Sequence, residues 1–134
     1  MKKYLLDTHT LIWSIVDKCK LSEQVLRTLQ DSNNQLFISA VSFWEMAIKH
    51  GKGKLDLENF QLQNIPDYCK RLMINQIPLL PEEAINYSSF PFSDNHKDPF
   101  DRMLIYQCIV NDYVLVSKDA KMGIYKGNGL KCIW

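Results

Sequence analysis

Acidic side chains recur where this chain leaves an apolar run. Asp7 closes YLLD, Glu45 follows LFISAVSFW, Asp98 and Asp101 open and close DPFD, and Asp119 ends VLVSKD. The runs before Asp7, Glu45 and Asp119 read as buried strands or lead out of one. In an open parallel sheet such turns meet at one edge, outside the carboxyl ends of the strands, where ligands bind. Carboxylates gathered there repel: at an effective dielectric of ~20, two of them about 5 Å apart cost roughly 3 kcal/mol. Such a cluster is tolerable when it is protonated or holds a cation. Hard carboxylate oxygens suit Mg2+ or Mn2+ better than zinc, and an ion held by acids suits metal-assisted hydrolysis.

Each acid has a plainer reading beside the chemical one. Asp7 can cap the following helix, although Thr8 or Thr10 offers the same contact. Glu45 has Val41 and Ile48 one turn away and so borders a buried face. Asp101 heads an apolar stripe of Leu104, Ile105 and Cys108, where an unpaired charge is costly. Asp98 lies one turn earlier and is fully explained as an N-cap, so Asp98 and Asp101 stand as alternative ligands. Asp119 joins the cluster or caps the next turn. His9, His50 and His96 lack metal-ligand spacing and are expected to be structural, with His9 the one nearest a substrate. Lys49, Lys52 and Lys54 flank two glycines near Glu45 and are candidates for holding phosphates. Arg102, Lys118 and Lys121 lie beside the acids and are further candidates.

The elements that must position these groups alternate between strand and helix. Strands are expected at Tyr4–Leu6, Leu36–Ile38, Ile77–Leu80, Tyr113–Val116 and Leu130–Ile133, with Pro78 placing the third at an edge. Helices are expected over Thr8–Val16, from an N-cap at Ser22 to Gln30, over Ala40–His50 with Gly51 as terminator, and around Ile65–Met73. Others start at Pro81 and at Asp98-Pro99-Phe100-Asp101, the last running to about Asn111. Ser88–Lys97 reads as irregular. The alternation predicts an α/β fold with a parallel sheet and helices on both faces.

The chain has 134 residues and a formal charge of +1, with 46% hydrophobic and 23% charged residues. These values predict one globular domain, 1–134, and argue against a strongly electrostatic nucleic-acid binder. Cys19, Cys69, Cys108 and Cys132 form no CxxC pair, and three lie in apolar contexts, as expected of free thiols in a reducing cytoplasm. Asp7 and His9 interrupt the apolar start, so no signal peptide is expected. No stretch approaches the ~20 apolar residues of a membrane span.

Four segments in order, LLDTHTLIW, SFWEMAIKHGKGKL, HKDPFDRMLIYQC and LVSKD, resemble the motifs of the PIN-domain family, most of all the VapC-type toxins of bacterial toxin–antitoxin pairs. The resemblance runs from Leu5 to about Asp119, without departure at the acids. Leu57–Phe92 matches only in length and style. The resemblance implies a three-layer α/β/α domain with a central, mainly parallel sheet, and a ribonuclease dependent on Mg2+ or Mn2+. It implies Asp7, Glu45 and Asp101 as core acids, Asp119 as a fourth, and Asp98 as a further ligand candidate. Thr10 and Ser117 match hydroxyl residues of the first and last motifs and are expected on the substrate side. A homodimer is implied, with a small antitoxin whose tail fills the acidic groove. Trp13 and Trp44, at helical spacing, are expected in the core, the alternative being a docking surface for that partner.

Three rivals remain at this level. A DNA-directed or structure-specific nuclease would use the same acids. A phospho-acceptor receiver module would need an acidic acceptor after the third strand, and Ile77–Pro81 offers none. A catalytically silent domain would only bind a partner.

Overall fold

The computed structural model describes residues 2–134. In chain order the strands and helices are β1 (Lys3–Leu6), α1 (Thr8–Val16), α2 (Glu23–Gln30), β2 (Gln35–Ser39), α3 (Ala40–Gly51), α4 (Ile65–Arg71), β3 (Ile74–Ile77), α5 (Pro81–Asn86), α6 (Pro99–Asn111), β4 (Val114–Val116) and β5 (Lys131–Ile133). A 3-10 segment, Ala120–Asn128, joins β4 to β5. Short polar side chains start several helices. Ser22 Oγ accepts from Val25 N–H at 3.1 Å, and Ser39 Oγ accepts from Val41 N–H at 3.1 Å.

All strand pairs are parallel, in the order β3-β2-β1-β4-β5. Both faces are covered, which explains why Tyr4, Leu5 and Leu6 of β1 are all buried instead of alternating: Leu5 and Leu6 are each 0% exposed. Tyr4 and Leu6 join one core with Leu11, Val25, Ile65 and Cys69 of α1, α2 and α4. Leu5 joins the other with Leu104, Ile105 and Cys108 of α6. Successive strand residues point to opposite faces, so one short strand feeds two cores. The α3 helix lies at the boundary, with Val41 in one core and Met46 in the other. The result is the expected three-layer α/β/α arrangement.

The strand order also fixes where a ligand site belongs. From β1 the chain proceeds outward to β2 and β3, then returns to the other side of β1 with β4 and β5. The direction of winding reverses between β1 and β4, and crevices open at such switch points beyond the strands' carboxyl ends. Leu6 pairs with Val116 in the register, so the next residues, Asp7 and Ser117, leave the sheet side by side.

Three expectations need correction. The third strand is Ile74–Ile77, not Ile77–Leu80. Met73 takes a left-handed φ of 57° after α4, which turns the chain into the ladder early, and Pro78 lacks the N–H to extend it. The strand does lie at a sheet edge. Gly51 does not end α3. Lys52 is the cap and Gly53, at φ 68°, supplies the left-handed turn a glycine is needed for. Trp44 is not in the core but 61% exposed, lying edge-on to Phe100 at 5.4 Å. Cys69 and Cys108 are buried, Cys132 is half-buried, Cys19 is exposed, and all are free. Among the described residues no helix is long and apolar enough to cross a membrane.

Candidate metal and active site

Asp7 leaves β1 and caps α1. Its Oδ1 accepts from Thr10 N–H at 2.8 Å and from Thr10 Oγ1–H at 2.7 Å. Its own N–H donates to Val116 O at 3.1 Å, which ties it to β4. The carboxyl is buried, and burial pushes its pKa above the usual carboxylate range, against the pull of the Ser117 and Thr10 hydroxyls.

Glu45 reaches the same region from α3. It is 2% exposed yet fully engaged. Oε1 accepts from Thr8 Oγ1–H at 2.5 Å, and Oε2 accepts from Lys49 Nζ at 2.5 Å. Burial draws the Lys49 ammonium down, but the bond and charge of Glu45, with Asp98 and Asp101 beyond, raise its pKa above the ordinary lysine value. Lys49 is therefore a built-in counter-ion at the acid cluster.

The start of α6 divides the roles of its two acids. Asp98 Oδ1 accepts from Phe100 N–H at 2.9 Å and Asp101 N–H at 3.1 Å, the N-cap geometry. Asp101 instead faces an open cleft of about 320 Å³, lined also by Asp7, His9, Trp13, Lys118 and Asp119. Burial lifts the Asp101 pKa to about 7, helped by the charges of Asp98, Glu45, Asp7 and Asp119. That set of causes is the convergence anticipated from sequence: acids separated by up to 112 positions (119 − 7) push on one carboxyl. Asp119 caps the turn after β4, with Oδ1 accepting from Lys121 N–H at 2.9 Å.

Other expected site residues fall elsewhere. Thr10 and Ser117, expected on the substrate side, are both buried. Thr10 Oγ1 lies 2.9 Å from Val116 O as well as near Asp7, and Ser117 Oγ accepts from Asp119 N–H at 3.2 Å. Both hydroxyls therefore position acids. Lys49, bound to Glu45, and Lys54 line an adjoining cleft with Lys20 that shares His9 and Trp13 with the acid cleft, whereas exposed Lys52 lines neither. Arg102 turns away from the acids. Its Nη2 donates to Ser93 O at 2.9 Å, its Nε donates to His96 O, and its guanidinium lies 5.0 Å from the centre of the Phe92 ring.

His96, which lacks metal-ligand spacing to the other histidines, enters the cluster. A nitrogen of His96 and carboxylate oxygens of Asp101 and Asp119 all lie within 4.8 Å of one another. His96 heads the segment HKDPFDRMLIYQC, but it arrives on an aperiodic loop that gives no sign of where its ring points. The oxygen-rich donor set fits a hard divalent cation.

The family model described as PIN domain matches residues 4–127. No curated protein matches the chain. Among solved structures it is similar to VapBC2 from Rickettsia felis bound to a DNA fragment from their promoter, at TM-score 0.69 and 19% identity over 98% of this chain and 97% of the other. It is also similar to VapBC-1 from nontypeable Haemophilus influenzae, at TM-score 0.63 and 18% identity over 98% and 96% of the two chains. DNA-bound VapBC from Salmonella typhimurium gives TM-score 0.65 and 17% identity over 99% and 98%. At these identities the likeness is one of fold.

Proposed function

The chain belongs to the PIN-domain family, and from that premise we propose that it is a divalent-metal-dependent endoribonuclease, a single-domain toxin held in check by a small antitoxin. The observation that carries the reading is the meeting of Asp7, Asp101 and Asp119 at one cleft, where burial first and then the charges of Asp98, Glu45, Asp7 and Asp119 lift the Asp101 pKa to about 7. Asp7, Asp101 and Asp119 line the cleft and would hold Mg2+ or Mn2+, with Glu45 and Asp98 adding negative charge behind them. When bound, the ion supplies Lewis-acid polarisation of a phosphodiester and eases the ionisation of water.

The chain's own residues supply the rest. Asp119 has Oδ1 tied to Lys121 N–H, which leaves its second oxygen to orient the attacking water and receive its proton. Lys118, beside the acids, and Lys54, in the adjoining cleft, are placed to steady flanking phosphates. Glu45, occupied by Thr8 and Lys49, sets the field without touching the substrate. The partner reading is supported by the VapBC names of the structural neighbours. It is also supported by the exposed Trp44 on Phe100, an apolar ledge at the head of α6. An arginine on an antitoxin tail would pair bidentately with the cleft carboxylates. A homodimer follows from the family resemblance alone.

The test is cleavage of RNA with Mg2+, with Mn2+ and with a chelator, by the wild type and by Asp7→Asn. Chelation and substitution are each expected to slow cleavage by roughly two orders of magnitude or more. Equal rates in every arm refute the mechanism. Faster cutting of single-stranded or branched DNA than of RNA refutes the substrate.

A further inference from the structure

Against the acids of the cleft lies one buried polar atom without a hydrogen-bond partner among the described residues. His96 is 3% exposed, and its Nε2 is fully buried with no hydrogen-bond partner. It points toward Asp101 Oδ2 from 3.5 Å, too far for a good hydrogen bond. Buried imidazole nitrogens are ordinarily satisfied, so an orphan facing carboxylates calls for an occupant.

The rest of the ring is held in place. Nδ1 lies 3.2 Å from Tyr125 Oη, and that oxygen also accepts from Ser93 N–H at 3.1 Å. With the Nδ1 proton donated to Tyr125, the Nε2 lone pair is free and faces Asp101 and Asp119. A ligating histidine characteristically hands its other N–H to a fixed oxygen in this way. Arg102 clamps the backbone on either side of the ring's approach, through Ser93 O and His96 O.

The spacing also fits. With metal–ligand distances of about 2.1 Å, neighbouring ligands of an octahedron stand ~3.0 Å apart and opposite ones ~4.2 Å. His96 Nε2 and Asp101 Oδ2 stand 3.5 Å apart, and the ligand atoms of His96, Asp101 and Asp119 all lie within 4.8 Å of one another, so small side-chain adjustments would bring them onto one ion.

We propose that His96 is a nitrogen ligand of the divalent-ion site, sharing the ion with Asp101 and Asp119, and that it tilts the site from magnesium toward first-row transition-metal ions. Imidazole is a softer donor than carboxylate or water, and Mg2+ gains least from it. The inference rests on the metal-dependent reading above and deepens it by naming the ion class.

Pulsed electron paramagnetic resonance on the Mn2+-loaded protein tests it. The wild type is expected to show nitrogen modulation typical of a coordinated imidazole, as is His9→Gln, which alters the other histidine of the cleft. His96→Gln is expected to lose it. Calorimetric titration with Mn2+ and Mg2+ is expected to show the Mn2+/Mg2+ affinity ratio falling about tenfold in His96→Gln. Should that variant fail to fold, the wild-type spectrum decides alone. Bound Mn2+ without nitrogen modulation, or modulation that persists in His96→Gln, overturns the inference and leaves metal-dependent cleavage standing. A wild type that binds no Mn2+ overturns both.

Discussion

Asp101 spends free energy of folding on its surroundings. Its pKa is about 7 in the folded chain, against 3.8 for an unperturbed group. Between those values the unfolded chain releases a proton that the folded chain keeps. The contribution of this group is therefore fully present below about pH 3.8 and is lost as pH rises through about 7. Asp101→Asn is expected to unfold later than the wild type in urea at pH 8 with chelator present, by on the order of 1–3 kcal/mol, with little difference at pH 4. Identical midpoints at pH 8 would contradict the charge cluster. Thr10→Val is expected to cost about 1–2 kcal/mol by the same assay, since it leaves Asp7 and Val116 O each short of a buried partner. At this scale the sequence was partly legible. Asp7 and Asp101 stand out because an acid bordering an apolar run demands an explanation. His96 does not, because what holds it is Tyr125, 29 residues on. Thr10 and Ser117 were expected on the substrate side, and their burial beside Asp7 and Asp119 was not legible, because a hydroxyl in a motif does not reveal which way it faces.

The loop from Ser93 to His96 is an element without regular structure, and Arg102 at the head of α6 organises it. Two carbonyl acceptors and the Phe92 ring share that one guanidinium. Replacing Arg102 by Ala removes charge-assisted bonds that a lysine cannot reproduce as a fork. Hydrogen exchange over residues 92–97 is expected to quicken at least tenfold in Arg102→Ala, with β1 and β4 unchanged. Unchanged exchange would mean that the loop holds itself. Helices with a side-chain cap at the start, such as α2 and α6, were legible to within a residue or two. The β3 strand was misplaced because its start depends on Met73 adopting a left-handed turn, a conformation that methionine's chemistry does not announce.

Across the whole molecule, a formal charge of +1 conceals an acidic pole at the switch point. A divalent ion that binds only the folded, ionised cluster stabilises by mass action, about 2.7 kcal/mol at a concentration one hundred times Kd. The melting temperature is accordingly expected to rise by several degrees with millimolar Mn2+ at pH 8. A much smaller rise is expected at pH 5, where Asp101 holds its proton. Equal shifts at both pH values would place the ion elsewhere. The layered architecture was legible in the alternation of strand and helix. The order of strands was not, since local pattern does not say on which side of β1 the chain returns. That return has a consequence for biosynthesis. Because β4 must slot beside β1 before Asp119 can meet Asp7, a half-translated polypeptide has no assembled acid cluster. On the reading proposed above, a ribosome making this chain is safe from its own product until the closing stretch has emerged, which leaves time for an inhibitor to be waiting.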